Sequence, residues 1–173
     1  MTPYAEFLAS GVEWLRYQRG CYLVAQERGP WSRYGHKPDL LGVDKTRKCI
    51  EIEIKRSLAD FKQDADKRVW SSRDLWKVAW PSQFYYFVEP LMVDRVRPLL
   101  RDGFGLLTFA QTGKPTFGGN IEIEIVVAAR KQKDAKQLSV LQLCEMARHL
   151  TGSYSSTVSK LKPTQHPDPD YSI

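Results

Sequence analysis

The sequence predicts a single-domain α/β protein in which helices cover a central mixed β-sheet. Segments with apolar residues at helical spacing alternate along the chain with short runs rich in isoleucine, valine and aromatic residues. Strands and helices in this mixed order favour a sheet flanked by helices. The chain has 173 residues, 42% of them hydrophobic, which is enough for the core of one ordinary domain.

The first part of the chain is predicted to contain two helices and three strands. In chain order these are helix 3–18, strand 21–27, strand 40–43, strand 48–55 and a helix from Ser57 to about residue 69. The first helix ends at Gly20, and its apolar residues at helical spacing are Phe7, Leu8, Val12 and Leu15. Residues 44–47 form a tight turn, so the second and third strands make a hairpin. Ser57, with Asp60 three residues later, is typical of a helix start.

The second part of the chain is predicted to add three strands and two helices. These are strand 83–88, helix 92–101, strand 105–109, strand 121–128 and helix 137–150. Pro98 argues against a regular helix over 92–101, because proline has no backbone N–H. We assign residues 1–150 to one domain and residues 151–173 to a C-terminal extension. The Pro- and Asp-rich end of this extension is expected to be partly flexible.

Charge and cysteine content narrow the class of protein. The net charge of +6 and the pI near 9.2 favour an anionic partner, of which nucleic acid is the commonest, although many basic proteins bind none. The three cysteines are odd in number and far apart, which argues against a disulfide framework and suits a reducing cytoplasm. We see no bilayer-spanning apolar run and no signal peptide, so we expect a cytoplasmic protein without a membrane partner.

The stretch 49–55, which reads Cys-Ile-Glu-Ile-Glu-Ile-Lys, is the most informative part of the chain. Successive side chains of a strand point to opposite faces of the sheet, so the isoleucines share one face and the charged residues share the other. Isoleucine predicts a buried face. Two carboxylates side by side repel each other, and a bound divalent cation would explain their presence.

Asp39, preceded by Pro38 and eleven residues upstream of Ile50, adds a third acid. Hydrolysis of a phosphodiester needs an activated water and neutralisation of charge, which a magnesium ion with oxygen ligands provides. We predict that Asp39, Glu53 and the backbone carbonyl of Ile54 hold this ion. Lys55 projects to the same face as Glu53, where it would orient the attacking water or stabilise its hydroxide form.

Two further acids have open roles. Glu13 in the first helix is a candidate catalytic acid, and the alternative is an ordinary surface glutamate. Glu51 shares the face of Glu53 but lies one pleat further back. Support of the site, a salt bridge and metal ligation all remain open for Glu51.

Pro38-Asp39 followed by Glu53-Ile54-Lys55 resembles the signature of the PD-(D/E)XK nuclease superfamily. This resemblance implies a restriction-endonuclease-like fold, with a mixed central sheet flanked by helices and the motif on the second and third strands. It also implies a Mg²⁺-dependent deoxyribonuclease in which Mn²⁺ can substitute. Its catalytic residues would be Glu13, Asp39, Glu53 and Lys55, with Glu13 as the acid of the first helix.

The chain is also similar, over about residues 10–110, to the MmcB-like, DNA-repair-associated branch of that superfamily. The similar segments are Lys55-Arg-Ser-Leu-Ala-Asp60-Phe61, then Asp64 and Lys67, the strand Phe84 to Pro90, and Gly105-Leu106-Leu107. The loop from Trp70 to Pro81 departs from the branch. The similarity implies a role in DNA repair, while recombination and the processing of phage or mobile-element DNA remain open.

The segment Ile121–Ile125 repeats the letters Ile-Glu-Ile-Glu-Ile without the rest of the motif. Val126 follows where a lysine would be needed, and no Pro-Asp pair lies upstream. We predict an amphipathic strand with a solvated acidic face. Asp39 and Lys55 therefore distinguish the candidate site from a pattern that arises easily.

Basic residues near the motif are candidate DNA contacts. We expect six of them to contact phosphates: Arg33, His36, Lys37, Lys62, Lys67 and Arg68. Trp70 and Trp76 lie among further basic residues, which suits a nucleic-acid groove; the alternative is that these rings are core and the charges are solvated. His36 as a catalytic base is a lesser alternative, since single loop histidines are usually exposed.

Residues 146–152 and 155–161 together have a spacing similar to that of a helix-turn-helix unit. We favour a final amphipathic helix followed by a short basic helix. Three functions therefore remain in view: a nuclease, a non-catalytic DNA-binding module with the same fold, and a regulator that binds DNA through its C-terminal segment. The choice between DNA and RNA and the formation of a homodimer stay open.

Overall fold

A six-stranded mixed sheet forms the centre of the molecule. The computed structural model describes residues 2–27, 29, 36–65, 81–112, 114–116 and 119–160. The strands are β1 (Leu23–Gln26), β2 (Leu40–Val43), β3 (Cys49–Lys55), β4 (Gln83–Val88), β5 (Gly105–Phe109) and β6 (Ile123–Val127). The helices are α1 (Tyr4–Glu13), α2 (Leu58–Ala65), α3 (Val93–Val96) and α4 (Val140–Lys160).

The strands lie in the sheet in chain order, from β1 to β6. The first three are antiparallel, β3, β4 and β5 are parallel to one another, and β6 returns antiparallel to β5. The hairpin register places Leu40 opposite Ile52, so Asp39 lies just beyond the last paired residue of β2. The predicted α/β class, with a mixed sheet and flanking helices, is confirmed.

Helix α1 covers one face of the sheet. The three isoleucines of β3 lie on this face, in one apolar cluster with Phe7, Trp14 and Leu15. A π-helical turn, Trp14–Gln18, extends α1, and Gly20 follows it with a positive φ of 66°. This confirms the first predicted helix and the glycine that ends it.

The opposite face of the sheet carries two separate apolar clusters. Phe61 of α2 packs with Tyr86 of β4 and Phe104 in one of them. Met146 of α4 packs with Leu41 of β2 in the other. The charged row of β3 (Glu51, Glu53 and Lys55) points to this same face, because it alternates with the isoleucines. The candidate site is therefore built on the face that α2 and α4 cover.

Side chains at the ends of β2 and α2 explain why these elements begin and end where they do. Asp44 Oδ1 accepts hydrogen bonds from Thr46 N, Thr46 Oγ1 and Lys48 N at 2.6–3.0 Å, which closes the hairpin turn. Ser57 Oγ accepts a hydrogen bond from Asp60 N at 3.1 Å, as predicted for the start of α2.

Two helix predictions are corrected. Over 92–101 the chain forms only the single α turn α3, between the 3₁₀ turns Pro90–Met92 and Arg97–Leu99, because the prolines in those turns cannot donate to a helical ladder. The helix and short second helix predicted at the end of the chain are one continuous helix, α4. Gly152 within α4 lowers helix stability by about 1 kcal/mol, which does not interrupt it. The described residues of 146–161 therefore contain no turn between two helices, and the helix-turn-helix prediction is wrong for them.

The predicted boundary after residue 150 falls inside α4, and residues 161–173 of the proposed extension lie outside the described residues. Within the described part of the chain, no helix combines the length and apolarity needed to cross a membrane.

Candidate functional site

Lys55 forms ion pairs with two acids at the carboxyl end of β3, Glu53 of the motif and Asp64 of α2. Lys55 Nζ donates to Glu53 Oε2 at 3.0 Å and lies 3.2 Å from Asp64 Oδ1 on α2. All three side chains are at least 95% buried. Tyr86 OH donates to Asp64 Oδ2 at 2.9 Å and so fixes this carboxylate from β4. The carboxyl ends of parallel strands are the usual location of ligand sites in open α/β sheets.

Asp39 is held at the end of β2 by two donors. Its Oδ2 accepts a hydrogen bond from Ile54 N at 2.7 Å, and its Oδ1 accepts one from Tyr4 OH of α1 at 2.9 Å. The N–H and C=O of one strand residue point toward the same neighbouring strand. The carbonyl of Ile54 therefore points toward the Asp39 side of β3, as its predicted role requires.

His36 and Glu51 form a second pair beside Glu53. His36 Nε2 and Glu51 Oε1 are 2.5 Å apart, and their side chains are 10% and 1% exposed. One ligand atom each from His36, Glu51 and Glu53 lies within 4.8 Å of the other two. Of the roles left open for Glu51, the salt bridge is present, and His36 is largely buried.

Burial and mutual repulsion raise the pKa values of the clustered acids. Burial, with the charges of Glu51 and Asp39, raises the pKa of Glu53 from 4.5 to about 8. Burial also raises the pKa of Glu51, against the opposing effect of the hydrogen bond with His36. The pKa of Asp39 is raised by burial as well, although the Ile54 N–H and the Tyr4 hydroxyl oppose the rise.

The two basic groups respond to the same charges. Burial alone would lower the pKa of Lys55, but the charges of Glu53 and Asp64 raise it above its ordinary value. Burial would likewise lower the pKa of His36, and the hydrogen bond and charge of Glu51 raise it. Lys55 is therefore a permanent cation of the site, and the excess negative charge falls on the carboxylates.

The charge balance of the site favours a divalent cation. Four carboxylates (Asp39, Glu51, Glu53 and Asp64) face two basic groups (His36 and Lys55). With all six groups ionised, the excess is two negative charges. Glu53 Oε1 is buried and accepts no hydrogen bond from the described residues. A buried carboxylate oxygen without a donor is costly, and a cation would satisfy it.

Glu13, the candidate catalytic acid of the first helix, is buried but has no described contact with the cluster around Lys55. Glu13 is the last residue of α1, roughly 13 Å along the helix from Tyr4, the α1 residue that holds Asp39. Its Oε2 accepts a hydrogen bond from Asn120 at 2.7 Å, and it lines a separate cavity of about 480 Å³ together with Trp14 and Thr116. The helical period predicted the buried face of α1 but not the end of the helix that meets Asp39.

Of the predicted DNA contacts, Lys37 and Lys62 are exposed beside the site, one before Asp39 and one on α2. Nε2 of His36 is already engaged with Glu51. Arg33, Lys67 and Arg68 lie outside the described residues, as do Trp70 and Trp76.

The acidic side chains of the repeated segment 121–125 are solvated, as predicted, and the strand begins at Ile123. Glu122 and Glu124 are exposed at the start of β6, whereas Glu51 and Glu53 are buried. Of the five residues, Ile125 departs from the amphipathic pattern, because its side chain is 42% exposed. The same letters thus give a solvated acidic face where Asp39 and Lys55 have no counterparts.

Three residues of the site had no assigned role in the sequence analysis: Tyr4, Asp64 and Tyr86. Asp64 lies three residues after the buried Phe61, a spacing that places both on one face of α2 and signals burial. Tyr86 lies opposite Glu53 in the parallel register of β3 and β4, which the sequence does not specify. Nothing in the sequence indicates the contact between Tyr4 and Asp39.

Comparisons with known proteins bear on the fold alone. A solved structure that resembles the chain is that of a protein of unknown function from Silicibacter pomeroyi. The two share 22% sequence identity with a TM-score of 0.60, and the match covers 94% of each chain. No family model and no curated protein matches the chain.

Proposed function

We propose that the chain is a metal-dependent nuclease that hydrolyses DNA phosphodiester bonds. The observation that carries the proposal is the buried cluster at the carboxyl end of β3, in which carboxylates outnumber basic groups by two around Lys55. Structural ion pairs tend toward neutrality, because unpaired buried charge is costly. An acidic excess with one buried lysine is the arrangement expected of a site for a divalent cation and a phosphate.

The residues fit Mg²⁺, with Mn²⁺ as a substitute. Asp39, Glu53 and the Ile54 carbonyl supply the hard oxygen ligands that such ions prefer. When bound, the ion would polarise the phosphoryl group and favour hydroxide over water. Lys55 would orient the attacking water, and Asp64, held by Tyr86, keeps the lysine ammonium in place.

The assignment to DNA is supported by the net charge of +6 and by the exposed Lys37 and Lys62 next to the acidic cluster. The similarity to the PD-(D/E)XK superfamily and its MmcB-like branch supports a nuclease and a role in DNA repair. A non-catalytic DNA-binding module is the alternative; it would require that the complete set of Asp39, Glu53 and Lys55 serves no reaction.

The test is cleavage of supercoiled, linear and branched DNA by the purified protein in Mg²⁺ or Mn²⁺. Asp39→Asn and Lys55→Ala should each lower the rate at least ~100-fold, because the first removes a charged ligand of the ion and the second removes the cation that would orient the attacking water. Glu124→Gln, in the exposed copy of the Ile-Glu-Ile-Glu-Ile segment, is the matched control and should keep the parental rate.

Circular dichroism of each variant separates loss of chemistry from loss of fold. Equal cleavage by Asp39→Asn, Lys55→Ala and the parent would refute the assigned roles. Binding of DNA by the parent without any cleavage would favour the non-catalytic module.

A further inference from the structure

We propose that His36, Glu51 and Glu53 bind a first-row transition-metal dication at a position distinct from the one assigned to Asp39, Glu53 and the Ile54 carbonyl. The two positions share Glu53 and differ in their other ligands. The inference goes beyond the proposed nuclease activity, since it depends on the donor atoms of this cluster and not on any reaction with DNA.

The geometry of the three side chains suits one ion. One ligand atom from each lies within 4.8 Å of the other two. Ligands that lie about 2.0–2.2 Å from a common ion are roughly 3–4 Å from one another. The separations of the three atoms are therefore near those of ligands that share one ion.

The donors are also desolvated, which is costly without a cation. The side chains of Glu51 and Glu53 are 1% and 5% exposed, and they are neighbours on one face of β3. Glu53 Oε1 is buried and accepts no hydrogen bond within the described part of the chain. Glu53 thus offers an oxygen in addition to the one that accepts from Lys55.

The imidazole of His36 determines which cations this position should prefer. Mg²⁺ favours oxygen ligands and retains several waters, whereas imidazole nitrogen is a ligand of zinc, nickel, iron and copper. For a fixed set of nitrogen and oxygen donors, affinity rises from Mn²⁺ through Co²⁺ to Ni²⁺. Co²⁺ should therefore bind here more tightly than Mn²⁺ and much more tightly than Mg²⁺.

Charge balance allows two ions. A histidine ligand is neutral, so four carboxylates and Lys55 leave three negative charges. Two dications reverse this to a single positive charge, which one phosphodiester of a substrate would neutralise. Occupation of both positions therefore leaves a site matched to one DNA phosphate.

The probe is Co²⁺, whose visible absorption reports its ligands. Titration of the metal-free protein with Co²⁺, followed by absorption and calorimetry, should show a tight site that excess Mg²⁺ does not displace. His36→Ala and Glu51→Gln should weaken this binding at least ~10-fold and change the spectrum. Asp39→Asn should retain it, and His149→Ala, which alters an exposed histidine on α4, is the matched control.

Unchanged Co²⁺ affinity in His36→Ala would overturn the inference, and so would equal losses in His36→Ala and Asp39→Asn, which would mean one shared position. His36→Ala carries the test if Glu51→Gln fails to fold, because His36 is the less buried of the pair. Cleavage of DNA in Mg²⁺ is measured separately. A protein that binds Co²⁺ as expected but never cuts DNA would refute the nuclease and leave this inference standing.

Discussion

The carboxylate of Glu53 lies in the fields of Glu51, Asp39, Lys55 and Asp64, all within one buried cluster. Its alternation with isoleucines predicted one buried and one charged face, and the hairpin turn placed Asp39 at the end of the neighbouring strand. These local patterns were enough to bring Asp39, Glu53 and Lys55 to one region. The partners Tyr4 and Asp64 come from other elements, and contacts of that kind depend on packing that the sequence does not display.

Burial of Glu53, together with repulsion from Glu51 and Asp39, predicts that the metal-free protein loses stability as the pH rises. Folding raises the pKa of Glu53 from 4.5 to about 8, so the folded protein holds the carboxyl proton more tightly than the unfolded chain does. The resulting stabilisation is fully present below about pH 4.5, the unfolded-state pKa. This contribution is lost as the pH rises through about 8. The groups that face Glu53 and share its charge field are His36, Asp39, Glu51, Lys55, Asp64 and Tyr86.

The measurement is thermal unfolding in chelator between about pH 5 and about pH 8. The melting temperature of the parent should fall across this range, and that of Glu53→Gln should fall less, because glutamine does not titrate. Glu124→Gln should follow the parent. A parent profile that rises over the range, or one that Glu53→Gln leaves unchanged, would contradict the prediction.

Close packing of α1 on β2 helps to position Asp39, which directly precedes that strand. A Cβ built on Gly11 would overlap Cδ1 of Leu40, the residue next to Asp39. Leu40 is fully buried, so its side chain would have to shift within a packed core to make room. Strand bounds were predicted well because alternation is local, whereas this helix-to-strand contact depends on the shape of both surfaces. No local pattern in the sequence indicates that a glycine is needed at position 11.

Gly11→Ala should destabilise the protein by about 1–3 kcal/mol, the usual cost of overpacking a filled core. The expected sign is informative, because alanine in place of glycine normally stabilises a helix by about 1 kcal/mol. Denaturant unfolding measures the change. Ala9→Gly in the same helix isolates the propensity effect, and a Gly11→Ala variant more stable than the parent would show that Leu40 can move.

The molecule combines a positive net charge with a locally acidic site. The net charge is +6, yet the four carboxylates of the site are concentrated at one end of β3. DNA would therefore be attracted by the surface and repelled at the site unless cations are bound there. The net charge could be calculated from the composition. The concentration of acidic groups at one site could not, because it depends on which acids the fold buries.

DNA affinity should consequently fall steeply with salt, through release of counterions from the phosphates. Lys37→Ala and Lys62→Ala should each reduce the slope of log K against log salt concentration by about 1 if each lysine contacts one phosphate. Lys133→Ala is the control: Lys133 is exposed in the loop that meets the amino end of β4, away from the site. Fluorescence anisotropy with Asp39→Asn in Ca²⁺ gives the slopes without cleavage. If the slopes of all three variants equal the parental slope, Lys37 and Lys62 do not contact DNA phosphates.

The chemical groups of the site are encoded in one short piece of chain. The six acidic and basic side chains lie between residues 36 and 64, in the hairpin of β2 and β3, the residues just before it and the helix that follows it: His36, Asp39, Glu51, Glu53, Lys55 and Asp64. Among the contacts described above, more distant parts of the chain contribute the hydroxyls of Tyr4 and Tyr86. An insertion or deletion in the later part of the chain would therefore leave every one of these acidic and basic side chains in the sequence, although β4 supplies the strand that pairs with β3.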